Sequence, residues 1–172
     1  MIRLARKLIR DESAAAAAEL VLALPLLLVL IWGPIEIGNY FLDEHMLIKG
    51  VRDGATFLAH QDISKFNCAT GAVDPTVRTQ VENVIRTGQV SGGVDRLRNW
   101  AGNPPTITVD RCPTQATNGT TLGGIYALNS GGVVPIIKID ATVPYSPVLG
   151  NLGFRPPTLS LNAKQEATVM GI

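Results

Sequence analysis

Apolar and polar positions change rhythm twice along the chain. From Ala14 to Ile31 every residue is apolar except Glu19, and ten of residues 20–31 are Leu, Val or Ile. At about 1.5 Å rise per residue this run spans roughly 27 Å, near the hydrocarbon thickness of a bilayer. It predicts a transmembrane helix over 14–35. One carboxylate near the edge of a span costs far less than one at its centre. Pro25 removes a single backbone hydrogen bond, which membrane helices tolerate. Trp32 suits an interfacial anchor, and Glu36 a solvated position at the far interface.

From Ile35 the rhythm becomes that of an amphipathic helix. Ile37, Phe41, Ile48, Val51, Ala55 and Leu58 recur at intervals of three, four or seven, with Asp43, Glu44, Lys49, Arg52 and Asp53 filling much of the other face. This predicts an extension over 36–61 whose stripe packs on an outer domain. Gly50 and Gly54 are candidate helix-packing positions, where a neighbouring helix can approach closely.

The remainder, 62–172, reads as a small α+β domain. Residues 60–73 look like a loop. Asp74-Pro75-Thr76 is a helix start, with an acid at the cap and proline at the first position. Val77, Val81, Val84 and Ile85 give that helix one apolar face, and Gly88 ends it. Residues 88–105 look irregular, with a turn of helix over 94–100. Strands follow at 106–112, 133–143 and 158–169. Ile137, Ile139, Ala141 and Val143 lie on one face of the second, and Leu159, Leu161, Ala163, Ala167 and Val169 on one face of the third. Pro135 marks the start of the middle strand as an edge or a bulge. A helix laid across this antiparallel sheet would bury those faces. Two loops remain: 113–132, long and rich in Thr and Gly, and 144–157, whose apolar residues cap the core. Asn118-Gly119-Thr120 matches a glycosylation triplet that arises easily by chance.

Charge and composition narrow the function. A net charge of +1 argues against a nucleic-acid partner. The 17 glycines and 11 prolines, with few aromatics, fit a loop-rich fold. His45 and His60 are too far apart to form a metal pair on one turn. No nucleophile elbow, phosphate loop or zinc motif is present, so neither an enzyme, a cofactor nor a small-molecule substrate is indicated. Cys68 and Cys112 favour a structural disulfide if the domain lies outside the cytoplasm, where disulfides persist; two free thiols are the alternative.

The flanks of the apolar run set an orientation. Arg3, Arg6, Lys7 and Arg10 place residues 1–13 in the cytoplasm as a basic leader. A secretory signal peptide would carry small residues after its apolar core. Here they precede it, at Ser13 to Ala18, and the core ends in Trp32-Gly33-Pro34. A basic N-terminus, small residues, a Glu and then the apolar helix resembles the layout of type IV prepilins. More narrowly, AAAAAEL at 14–20 leading into LALPLLLVL, GPIEIG at 33–38 and VRDGATFLA at 51–59 resemble the TadE-like family, pseudopilin-like proteins of the tight-adherence (Tad/Flp) pilus. The resemblance covers about the first 60 residues.

That resemblance implies a pilin-like fold and a structural role in pilus assembly and adhesion. It also implies processing by a prepilin peptidase five residues before the Glu, between Ala14 and Ala15. Here Ala14 stands where the family usually has Gly, and Leu20 where it usually has an aromatic residue. Cleavage would create an α-amino group at Ala15, four positions from Glu19 on one helix face. Partners would be the inner membrane, other pilin-like subunits and the peptidase. The alternative reading is an uncleaved, single-span binding or sensor module with an extracytoplasmic domain.

Overall fold

The computed structural model of the chain describes residues 12–100, 102–113, 133–148, 150 and 159–171. The basic leader before residue 12, nearly all of the 113–132 loop with its Asn118 triplet, and most of 144–157 lie outside them. The described elements are α1 (Glu12–Ala59), a 3-10 turn (Ile63–Lys65), β1 (Phe66–Asn67), β2 (Ala72–Val73), α2 (Pro75–Thr87), β3 (Thr106–Arg111), β4 (Ile136–Pro144) and β5 (Ser160–Thr168). The architecture is α+β. The chain divides into two compact units, residues up to Asn39 and Tyr40–Ile172, and α1 contributes to both.

In the first unit α1 continues through Pro25 and Pro34. Its apolar side chains from Leu20 to Ile31 are exposed, as expected of a helix that no protein layer covers.

The second unit is built around one apolar core. β3, β4 and β5 form an antiparallel sheet in that order. Ile107 stands opposite Ile139, Ala141 opposite Ala163, and Val143 opposite Leu161. Strand alternation turns these residues to one face, where all are buried. The other face carries Lys138, Asp140 and Lys164, with Asp140 bridging both lysines at 3.5 and 3.2 Å. Leu47, Val51, Ala55 and Leu58 of α1 join the core, as do Val77, Val81 and Ile85 of α2.

Several boundaries differ from the sequence expectation. β4 starts at Ile136 rather than 133, because Pro135 has no N–H to give a ladder; its carbonyl accepts from Val169 N at 3.0 Å. The irregularity falls opposite, between Val109 and Arg111 of β3. Leu159, expected in the core, is 45% exposed one residue before β5 begins. The segment 60–73 is a structured turn and hairpin rather than a loop. Asp62 caps the 3-10 turn through Ser64 N, and the Asn67 side chain accepts from Ala69 N and Thr70 N. That is the turn an Asx residue makes with its own downstream backbone. Residues 94–100 form turns without a helix; Leu97 and Trp100 are nevertheless buried.

The largest correction concerns the amphipathic stripe of α1. Val51, Ala55 and Leu58 are buried as expected, but Ile37, Phe41 and Ile48 are exposed and Leu47 takes the inward place. Phe41 lies six positions before Leu47, about 240° round the helix, so the two cannot share a face. The inward stripe is Leu47, Gly50, Val51, Gly54, Ala55 and Leu58. Glycines occupy part of it, and a count of apolar bulk passes over them.

α2 is delimited as the sequence predicts. Asp74 Oδ1 accepts from Thr76 N at 2.9 Å and Val77 N at 3.3 Å, and Gly88 ends the helix at φ 80° with its N–H on the Val84 carbonyl. These bonds, the Val77 N–H foremost, hold the Asp74 carboxyl below its ordinary value of 3.8. A lowered folded pKa means stability that is present above the unfolded carboxylate range and lost as pH falls through the folded value. Asp74→Ala is therefore expected to lower Tm at neutral pH and to leave a shallower loss of Tm on acidification. Thermal melts of both proteins across the acid range check this. Parallel curves would show that the cap does not carry the linkage.

Candidate functional site: the surface of α1

Ala14 and Ala15 lie in the first turn of α1, and Glu19 one turn further on is exposed. Glu19 is the one charged residue from Ala16 to Ile35. That stretch belongs to the helix with the length and apolarity to cross a membrane, the one such helix among the described residues. Carboxylates are rare in such surroundings and are functional candidates there by default.

Gly50 and Gly54 face α2 of the same chain. A methyl group at Gly50 would overlap the Ile85 carbonyl oxygen, and one at Gly54 would overlap the Ile85 side chain and stand 3.2 Å from Val81 Cγ2. The two glycines form a shallow trough that Ile85, fully buried, fills. The helical spacing of the glycines was readable in the sequence, but the identity of the residue filling the trough was not. Nothing in a periodicity says which side chain of another element arrives there.

Cys68 and Cys112 are joined by a disulfide, with Cα atoms 5.8 Å apart. Cys68 sits in the β1–β2 turn and Cys112 just after β3. Val109 N also donates to the Gly71 carbonyl at 3.0 Å, so the hairpin is held to β3 by a covalent and a hydrogen bond. Tyr40 packs edge-on against Tyr145 at 5.2 Å between ring centroids.

A groove of about 330 Å³ lies between α1 and β5, lined by Arg52, Thr56, His60, Glu166 and Met170 among others. His60 Nδ1 donates to the Thr56 carbonyl at 2.7 Å and Glu166 bonds Arg111, so these two side chains are engaged locally. His45 lies apart on the outward face of α1. Among the described residues no three His, Cys, Asp or Glu side chains cluster as metal ligands.

A long apolar helix leading into a small, disulfide-tied α+β unit is the layout of a single-pass membrane protein. Residues 14–56, 43 of 172, match the family model of TadE-like proteins. This agrees with the resemblance carried by AAAAAEL and VRDGATFLA. The match covers a quarter of the chain and lies wholly within α1. No curated protein and no solved structure matches the chain.

Proposed function

We propose that this chain is a minor pseudopilin-like subunit of a Tad/Flp type IV pilus, with a structural rather than a catalytic role. It sits in the bacterial inner membrane with its N-terminus in the cytoplasm and the Tyr40–Ile172 unit outside. It acts by packing α1 against other pilin-like helices in the membrane and at the base or tip of the filament, and so supports adhesion. The observation that carries this reading is the coincidence of three features: the TadE-like match, the exposed apolar surface of α1, and Glu19 as the one charge between Ala16 and Ile35.

The physics of Glu19 fits such packing. Once a prepilin peptidase has cut between Ala14 and Ala15, the new α-amino group is a cation within reach of Glu19, its own or a neighbour's. In a low dielectric that pair sets the register between helices more than it adds stability. Glu19→Leu makes the segment more apolar, so it inserts at least as well as the native segment. Its expected phenotype is a membrane-inserted protein that no longer assembles with other pilin-like subunits. Normal piliation in the Glu19→Leu strain would contradict the reading and leave α1 as an anchor for a binding or sensor module.

A further inference from the structure

β5 is an outer strand of its sheet and pairs with β4 alone. Tyr145 N donates to the Leu159 carbonyl at 2.9 Å and Val169 N to the Pro135 carbonyl at 3.0 Å, and the register between these two bonds has no slip. In an antiparallel ladder such bonds to one neighbour fall on every second residue. The odd positions of β5 therefore bond β4, and the backbone groups of Asn162, Lys164, Glu166 and Thr168 point to the open side. Met170, next in that series, gives its N–H to the Ala59 carbonyl at 2.7 Å. The end of α1 thus flanks this edge, and the open stretch stops at Thr168. Among the described residues nothing accepts from the four N–H groups between. The opposite edge of the sheet is covered: Val109 N of β3 is taken by the Gly71 carbonyl, and the disulfide pins the β1–β2 turn beside it.

The groove between α1 and β5 runs along this open edge. Gln165 has the parity of Leu161, Ala163 and Val169, which are buried, yet it is exposed, and Ala167 is half-buried. At these two positions α1 stands off the sheet. Ala55 and Ala59 line the α1 side, and their small side chains leave a space of about 330 Å³. Arg52 and Glu166 bring charge to it. Glu166 is held by Arg111 at 3.4 Å, whereas Arg52 has no ion pair among the described residues.

We propose that this edge accepts an extended segment of a different protein as an added strand. Its small apolar residues turn into the groove, and a carboxylate among them meets Arg52. The four outward N–H groups recur every second residue, roughly 7 Å apart, which is the repeat of an extended backbone. In strand addition the main-chain bonds give affinity and the pockets beside the edge choose alternate side chains. Here Ala55, Ala59 and Ala167 admit short side chains, and Arg52 selects an acid. The charge also argues against a second copy of this chain. Its β5 would turn Ala163, Gln165 and Ala167 into the groove and bring no acid to Arg52. The surface lies wholly within the Tyr40–Ile172 unit, so the proposal stands apart from what α1 does in the membrane.

The test uses the full chain in detergent micelles and a fluorescent synthetic peptide in which Thr alternates with Ala, one Ala being replaced by Asp. Anisotropy should rise to saturation with the protein and not with micelles alone. Two versions of the peptide, N-methylated at alternate positions, separate its two edges. The one that keeps the N–H groups facing β5 should bind like the parent, and the other should bind about fivefold more weakly for each bond lost. Lys164→Pro removes an outward N–H that β4 does not use, at a place where an edge strand tolerates proline. It should weaken binding about fivefold relative to Lys164→Ala, which keeps that N–H. If the proline variant does not fold, the N-methylated pair decides alone. Replacing the peptide's Asp by Lys should weaken binding to the native chain, and Arg52→Glu should reverse that preference. Failure to bind at millimolar peptide, or equal affinity of the two N-methylated peptides, would overturn the proposal. An acid preference unchanged in Arg52→Glu would overturn the choice of occupant. Self-association that Lys164→Pro abolishes would assign the edge to a second copy and overturn it too. Amide exchange in the free chain as slow at 162, 164, 166 and 168 as at 163 and 167 would show that the edge is already covered, with the same consequence.

Discussion

Replacing both cysteines, Cys68→Ser/Cys112→Ser, is expected to lower the unfolding free energy of the Tyr40–Ile172 unit by about 4 kcal/mol on the chain-entropy view. The bond links residues separated by 44 positions in sequence, so without it the unfolded chain regains the freedom of a long loop. Domain size makes the loss large in relative terms, since a unit of this size has a stability of only about 5–15 kcal/mol. The consequence should be local as well as global. β1 and β2 are two residues each and are too short to hold their place against β3 by hydrogen bonding alone. Amide exchange should therefore rise first at residues 66–73. Denaturant melts of the detergent-solubilised chain, oxidised and reduced, measure the effect. A shift in stability below about 1 kcal/mol would show that the hairpin is held by its packing.

The second large effect lies at the α1–α2 contact, where two neighbouring glycines should behave differently. Ile85 is fully buried against both, and Ile85→Ala should cost about 2–5 kcal/mol through lost burial and the cavity left behind. Gly54→Ala places a methyl group against the Ile85 side chain, which can be shortened. Gly50→Ala places one against the Ile85 carbonyl oxygen, which cannot. Each glycine substitution gains about 1 kcal/mol of helix propensity and loses roughly 1–3 kcal/mol to overpacking. The net result should be mild destabilisation for Gly54→Ala and a clearer one for Gly50→Ala. In the Ile85→Ala background, which removes both the Cγ1 and the Cδ1 that the methyl meets, Gly54→Ala should cost less than in the native chain, whereas the cost of Gly50→Ala should be unchanged. A double-mutant cycle in which the two glycines behave alike would show that α2 shifts as a body and that the contact is not specific.

The parts of the molecule that could be read from its sequence are those set by local chemistry. Asp74-Pro75 and Gly88 mark the two ends of α2 because a cap acid, an N1 proline and a left-handed glycine each act within one turn. The alternation of Ile137, Ile139, Ala141 and Val143 fixes the buried face of β4. The apolar run after Glu19 needs only the arithmetic of length and hydropathy. What was not readable depends on tertiary approach. Ile37, Phe41 and Ile48 satisfy a helical period as well as Leu47 does, and only the arrival of Ile85 at Gly50 and Gly54 decides which face turns inward. The same choice leaves Phe41, Leu42 and Met46 outside. In the sequence Lys49 and Arg52 stand with Asp43, Glu44 and Asp53 on the polar side of the helical pattern. In the structure Asp53 is engaged by Arg96 at 3.4 Å.

The reading of the chain as a processed pilin-like subunit turns on Ala14, Ala15 and Glu19. The most direct measurement is the intact mass of the membrane-extracted protein from cells with and without their prepilin peptidase. The account predicts a mature N-terminus at Ala15 when the peptidase is present and the full-length mass when it is absent. A mass that retains Met1–Ala14 in both strains would contradict it. The protein would then be a permanent membrane anchor, and Glu19 would have no amine to meet.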